Sequence, residues 1–321
     1  MAQILDVTFP FFALVLVGWV VARRGWLPLE SIPALNLFVL YFALPCMLFR
    51  FAAATPIARL FDPAVFGLWL GCALAMVALA VVLTRRGAVG WNDAAFGALV
   101  AAFPNSGFMG VPLLVGLLGQ RAAAPAIVAL VVDMVITSSL CIALSRLGAA
   151  GTQGAERAAW QALKGMATNP LPWSIAAGCV VAASGWTPPH MLLQPVSMLA
   201  DAASPTALFT LGAVLARAQL RGAAAVAVAA PRRDVPWVVA LKLLVHPLLV
   251  LGATRAAMAL GVALDPFAAT VLVLVAALPS ASNVPMLAER FGADAGRIAR
   301  IVLWTTALAF LSFSAAVALL T

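Results

Sequence analysis

Two stretches of the chain combine residue types that could recognise a charged solute inside a lipid bilayer: FPNSGFMGVP at 103–112 and LPSASNVPML at 278–287. Each starts with an apolar residue and a proline, passes through small polar residues and reaches a second proline. Proline removes a backbone donor and frees an upstream carbonyl, and glycine loosens the same turn. A helix interrupted in this way presents a partially positive amino end and a partially negative carboxyl end. Pro104, Asn105, Ser106 and Gly107 in the first stretch, with Pro279, Ser280, Ser282 and Asn283 in the second, would supply backbone ends, hydroxyls and amides able to cradle a carboxylate or a cation. Unsatisfied backbone groups are costly in hydrocarbon, so such breaks persist only where protein, water or a ligand satisfies them.

Four ionisable side chains fall within apolar segments: Asp133, Asp201, Lys242 and His246. A charge at mid-bilayer costs about 2.5–3.5 kcal/mol, so each needs a partner or a wet cavity. Lys242 is expected to attract a substrate carboxylate and Asp133 to take a proton or a sodium ion. The competing reading is a structural Asp133–Lys242 ion pair that lets both residues insert. His246 lies one turn from Lys242 and directly precedes Pro247. Its imidazole could relay a proton, and the plainer expectation is a hydrogen bond to a neighbouring carbonyl. Asp201, four residues before Pro205, is expected to cap an interruption there or to line a water path. Asn36 could complete the site or simply bond between helices, and His190 falls in an outer loop.

These residues must be positioned by membrane helices. The 321 residues are 64% hydrophobic and 9% charged, with a mean hydropathy of +1.08. A soluble domain keeps roughly a quarter of its residues charged, so this composition belongs in a lipid bilayer. The net charge of +8 does not mark a nucleic-acid partner, because basic and aromatic residues are not interleaved on any polar face. Cys46, Cys72, Cys141 and Cys179 all sit in apolar segments without CxxC spacing, so no disulfide framework, metal site or cofactor is expected. The first 22 residues lack a basic leading region, and Arg23 and Arg24 follow them, so they read as a spanning helix rather than a signal peptide.

Apolar runs predict ten spans near 4–22, 32–53, 63–84, 93–117, 123–146, 170–186, 194–216, 235–254, 265–289 and 298–320. Loops after odd-numbered spans hold fourteen lysines and arginines, loops after even-numbered spans hold four, and Lys242 lies within a span. Basic loops stay cytoplasmic, so both termini are expected outside. A shift of 160 residues pairs Pro10 with Pro170, Gly18 with Gly178, Pro45 with Pro205 and Leu48-Phe49 with Leu208-Phe209. Residues 1–147 therefore read as a first repeat of five helices, 148–169 as a cytoplasmic connecting loop, and 170–321 as a second repeat. An odd number of spans per half inverts one repeat against the other, an arrangement of transporters that places the site at mid-depth where interrupted helices meet. The two broken stretches fall in spans four and nine.

The stretches LNLFVLYFALPCMLF (35–49), FPNSGFMGVPLL, PTALFTLGAVL (205–215), LKLLVHPLL (241–249) and LPSASNVPMLAERFGAD (278–294) resemble the auxin efflux carrier family, in order and over nearly the whole chain. The resemblance implies an all-α membrane protein of ten helices in two inverted five-helix repeats, distantly similar to bile-acid sodium symporters, with helices 4 and 9 broken and crossing. It implies a scaffold of helices 1, 2, 6 and 7 that forms a homodimer. Helices 3–5 and 8–10 would be a transport domain that carries substrate by an elevator-type movement. Family substrates are small organic acids: indole-acetate in plants, and dicarboxylates such as malate or malonate in bacteria. The short central loop suits a bacterial member in the inner membrane.

The expected function is a secondary transporter for a small organic anion, coupled to H+ or Na+ or driven by the substrate's own gradient. No P-loop appears, so ATP is not expected to drive it. Lys242 is the one cation at depth, which favours a monocarboxylate or an amphipathic weak acid over a dicarboxylate. A channel or a membrane-embedded sensor for small anions is the alternative. An intramembrane enzyme is disfavoured, because HExxH is absent and the two histidines are 56 residues apart.

Overall fold

The structure, a computed structural model, describes residues 2–85, 89–147, 169–186, 188–225 and 234–321. All but Asn169 of the connection expected at 148–169 lies outside the described residues, as do Arg86, Arg157, Lys164, Arg232 and Arg233 of the charge count. Among the described residues every regular element is helical, and extended pairing is confined to one isolated bridge between Pro104 and Ser280.

In chain order the main helical stretches are α1 (Ala2–Arg23), α2 (Leu29–Ala53), α3 (Pro63–Arg85), α4 (Trp91–Ala102), α5 (Ser106–Leu118) and α6 (Gln120–Ser145). After the connection come α7 (Pro170–Ser184), α8 (His190–Ala225), α9 (Val235–Ala259), α10 (Pro266–Ala277), α11 (Val284–Arg290) and α12 (Ala295–Leu320). Six described stretches are long and apolar enough to cross a membrane: α2, Ile57–Arg85, α6, His190–Arg217, α9 and α12. Shorter apolar helices are Thr8–Arg23, α5, α7 and α10.

Local chemistry fixes where several helices begin. Asn169 and Asp265 each precede a proline, and each side-chain oxygen accepts the amide two residues on, from Leu171 and Phe267, at 3.0 Å. The proline at the first helical position has no amide to leave unpaired, and the Asx oxygen takes the next one. Asp294 starts α12 in a similar way, accepting from the Arg297 amide at 2.8 Å.

Contacts divide the chain into two compact units. The first gathers Met1–Asp62, Ser106–Val128 and Asn169–Ala223, and the second Pro63–Asn105, Ala129–Thr168 and Ala224–Thr321, as far as these are described.

The first unit is knit by glycines that let helix backbones touch. A methyl group on Gly18 would lie 1.9 Å from the Phe209 carbonyl oxygen, and one on Gly178 would lie 2.6 Å from that of Phe49. Small residues at such crossings replace the hydrophobic drive that lipid cannot supply. In the same unit α8 runs helically through Pro195 and Pro205. Asp201 therefore caps no interruption. It is exposed and accepts from Arg50 at 2.7 Å, because the helix continues around it and its carboxylate turns to the neighbouring cation.

The second unit buries two helices on nearly all sides. Residues 94–102 of α4 are all buried, as are 268 and 269 and 271–277 of α10. A helix apolar all round belongs in a core, and these two core helices both end at the prolines singled out above.

Candidate functional site

Helical backbone stops at Ala102 and resumes at Ser106; it stops again at Ala277 and resumes at Val284. Within the second unit the two intervening stretches run antiparallel. The Asn105 amide donates to the Pro279 carbonyl at 2.8 Å, and the Ala281 amide donates to the Phe103 carbonyl at 2.9 Å.

Two carbonyls released by the interruptions find side-chain partners. Pro104 has no N–H, so it frees Val100, four residues upstream. The Ser280 hydroxyl donates to that carbonyl at 2.7 Å. The Ser280 amide turns to the Thr305 hydroxyl of α12 at 3.3 Å. That leaves the Ala276 carbonyl open, and Lys242 Nζ donates to it at 3.1 Å. An ammonium at the carboxyl end of α10 also meets the negative pole of that helix.

The protein itself thus supplies partners for several backbone groups around the bridge. What remains open is in the side chains. Asn105 Nδ2 and Ser282 Oγ, one on each stretch, are buried without a hydrogen-bond partner, as is His246 Nε2. They are three of nine such atoms among the described residues, and because buried polar atoms are nearly always paired, each is open to a water or a ligand. Asn283, half-buried at the head of α11, makes no side-chain cap. Ser280 differs from expectation, because its hydroxyl hydrogen is committed to Val100 and its task is to brace the bridge. Ser106 and Gly107 open α5, which groups with the first unit, and Ser106 is fully buried there.

Lys242, Asp133 and His246 are all fully buried. Lys242 and Asp133 each sit in a wide five-residue turn, 241–245 in α9 and 133–137 in α6. Such widened turns inside helices recur at functional positions, because they rotate a side chain out of the regular register. Asp133 accepts from Trp69 Nε1 at 3.2 Å and from the Thr137 hydroxyl at 3.0 Å. Lys242 Nζ lies 3.0 Å from His246 Nδ1. When Lys242 is charged it can only donate, and Nδ1 then accepts with the imidazole hydrogen on Nε2. The His246 ring packs against Trp69 with centroids 5.5 Å apart.

Two expectations change here. Asp133 and Lys242 make no direct ion pair; each is held by neutral partners, since Trp69 and Thr137 already occupy the carboxylate. His246 bonds to a side chain rather than a carbonyl, because Lys242 one turn earlier on α9 reaches its Nδ1 first. Lysine carries three N–H groups, so one remains available beyond the two that are engaged.

Sequence reasoning passed over Trp69, Thr137 and Thr305. Thr137 was findable, being four residues after a buried carboxylate and so on the same helix face. Arg297 was also missed, having been counted among the loop charges that orient the chain. It is fully buried. Its Nε donates to Asp234 at 2.8 Å and its Nη1 to the Asp93 carbonyl at 2.8 Å. No group of three or more metal-ligating side chains occurs among the described residues.

Comparison with known proteins places this geometry in a context. The chain matches the family described as membrane transport protein over residues 4–317. It is 31% identical over 313 residues to a protein of Rhizobium meliloti (strain 1021) named "Putative malonate transporter", covering 96% of this chain and 93% of that one. It is 26% identical over 296 residues to the "Uncharacterized transporter YfdV" of Escherichia coli (strain K12), covering 88% of this chain and 86% of the relative.

Proposed function

The chain belongs to the membrane transport protein family, that of the auxin efflux carriers, and from that premise we propose that it is a secondary carrier for a small organic-acid anion. The observation that carries the reading is the closed bridge at Pro104 and Ser280 with Asn105 Nδ2 and Ser282 Oγ buried and unpartnered beside it. Two neutral donors with a lysine nearby suit a carboxylate that must bind and leave. A fixed array of strong charges would hold it too tightly to release.

In this reading Lys242 supplies the attracting charge through its remaining N–H, and Asn105 and Ser282 donate to the carboxylate. Asn283 borders the same stretch. Asp133 and His246 form the coupling side, taking up a proton or responding to a sodium ion. Helices 4 and 9 of the ten-span scheme would be the broken pair, moved elevator-fashion with spans 3–5 and 8–10 against a dimeric scaffold of spans 1, 2, 6 and 7. The inverted repeat is supported by two reciprocal close approaches: Gly18 meets Phe209 and Gly178 meets Phe49, and a shift of 160 residues takes Gly18 to Gly178 and Phe49 to Phe209. The positive charge count supports a location in the inner membrane with both termini outside.

A malonate transporter among the relatives brings short dicarboxylates into the substrate class. With one lysine at the site, such a substrate fits as its monoanion, in which a protonated carboxyl group needs an acceptor rather than a second cation. The protein reconstituted in liposomes should take up labelled malonate or a small monocarboxylate with saturable kinetics, and unlabelled substrate inside should accelerate the uptake. Conductance without counter-transport would establish a channel instead, and indifference to every small organic acid would remove the reading.

A further inference from the structure

We propose that a groove between α9 and α12 is a binding site for one anionic phospholipid, with an acyl chain in the groove and the phosphate at Arg300. This rests on α9 and α12 lying in a membrane and is independent of which solute is carried.

The two helices start at the same level, because Asp234, just before α9, accepts from Arg297 in the first turn of α12. From there they run side by side and leave a groove of about 710 Å³. Its walls are apolar, chiefly Val239, Leu243 and Leu244 on one side and Trp304, Leu308 and Leu311 on the other. The lining on α12 extends from Trp304 to Ala315. At 1.5 Å per residue that is roughly 16 Å, close to half the ~30 Å hydrocarbon core, so the groove matches the reach of a chain in one leaflet.

The starting end is charged. Arg300 lies one turn before Trp304 on the same face of α12, and its Nε is buried without a partner. The Asp234 carboxylate is engaged by Arg297 through Oδ2, and its Oδ1 has no partner among the described residues. A guanidinium with an unpartnered Nε, one turn before the first groove-lining residue of α12, complements an amphiphile with a negative head. A zwitterionic lipid carries the same phosphate, but its own ammonium offsets that charge, so it gains the trough and less at the mouth.

Native mass spectrometry of the purified protein, titrated with phosphatidylglycerol and with phosphatidylcholine, tests this. The wild type should retain one phosphatidylglycerol with at least about fivefold preference, the contribution of one basic side chain beside an anionic lipid. Arg300→Gln should abolish the preference and Arg300→Lys keep it. Leu308→Trp, which fills the groove, should weaken retention of both lipids. Equal retention of the two lipids by wild type, an unchanged preference in Arg300→Gln, or a second copy of the chain protecting the groove would overturn the proposal. Counter-transport measured on the same variants reports folding and keeps the outcome separate from the transport reading.

Discussion

Asn105 gives its amide to the Pro279 carbonyl across 2.8 Å, and Ala281 returns a bond of 2.9 Å to Phe103, so each interrupted stretch satisfies the other's backbone. In hydrocarbon this mutual closure lets two proline-split segments stay unwound without a ligand. It also moves the task of recognition. The Asn105 and Ala281 amides are occupied, and Asn105 Nδ2 and Ser282 Oγ are side-chain donors left open beside them.

Removing those donors should therefore weaken substrate binding and spare the fold. Asn105→Ala keeps the backbone bond to Pro279, and a hydrogen bond to a charged group contributes at least about 1.5 kcal/mol, so apparent affinity should fall about tenfold. Asn105→Asp is nearly isosteric and should abolish uptake by repelling the anion. Liposome uptake kinetics, with melting temperature as the control, would check both. An unchanged half-saturation concentration in Asn105→Ala would remove the residue from the site.

Lys242 is expected to matter more. A hydrogen bond to a charged group contributes about 1.5–3 kcal/mol, so Lys242→Met should raise the half-saturation concentration by roughly 10- to 100-fold. Lys242→Arg should not restore it, because a planar fork cannot meet His246 Nδ1 and the Ala276 carbonyl as an ammonium does. Competition by unlabelled substrate, measured for both variants, gives the comparison.

If a dicarboxylate enters as its monoanion, malonate uptake should rise as external pH falls toward the acid's second ionisation. Uptake of a monocarboxylate that stays ionised over the same range should lack that component. Parallel pH profiles for the two substrates decide it, and identical profiles would assign the dependence to the protein's own groups.

The all-helical make-up and the six long apolar stretches were legible because hydropathy is a property of the chain itself. The bridge was not, since it pairs residues about 175 positions apart and nothing local to Phe103 or Ala281 announces a partner. Asp133 was legible as a buried charge, yet its partner Trp69 comes from another helix and reads in sequence as one more apolar residue. Asp201 failed for the opposite reason. Pro205 suggested a break, but proline inside α8 is tolerated by its surroundings.

The glycines of the first unit offer a test of packing. Gly18→Ala would press a methyl group to 1.9 Å from the Phe209 carbonyl oxygen, and Gly178→Ala one to 2.6 Å from that of Phe49. Overpacking of this kind costs about 1–3 kcal/mol, and both variants should melt lower in detergent. Gly67→Ala, where nothing lies within 4 Å of the added carbon, should not.

Arg297 joins three segments of the second unit that are remote in sequence: its Nε and Nη2 reach Asp234, its Nη1 reaches the Asp93 carbonyl, and its own amide is capped by Asp294. The Asp294 amide in turn donates to the Asp93 carboxylate at 2.8 Å. The node thereby ties the start of α4 to the start of α12, and α4 leads directly into the bridge at Pro104. Gly97 leaves room for it, since a methyl group there would lie 2.7 Å from Nη2. Removing one partner of a buried pair costs about 3–5 kcal/mol, so Arg297→Met should lower the melting temperature more than any glycine variant. Arg297→Lys should rescue little, because one ammonium cannot span Asp234 and the Asp93 carbonyl together. Arg297→Met with Asp234→Leu should recover part of the loss by removing the stranded carboxylate. Thermal melts of the three proteins measure this, and a double variant no more stable than Arg297→Met would show that the carboxylate is not what the arginine restrains.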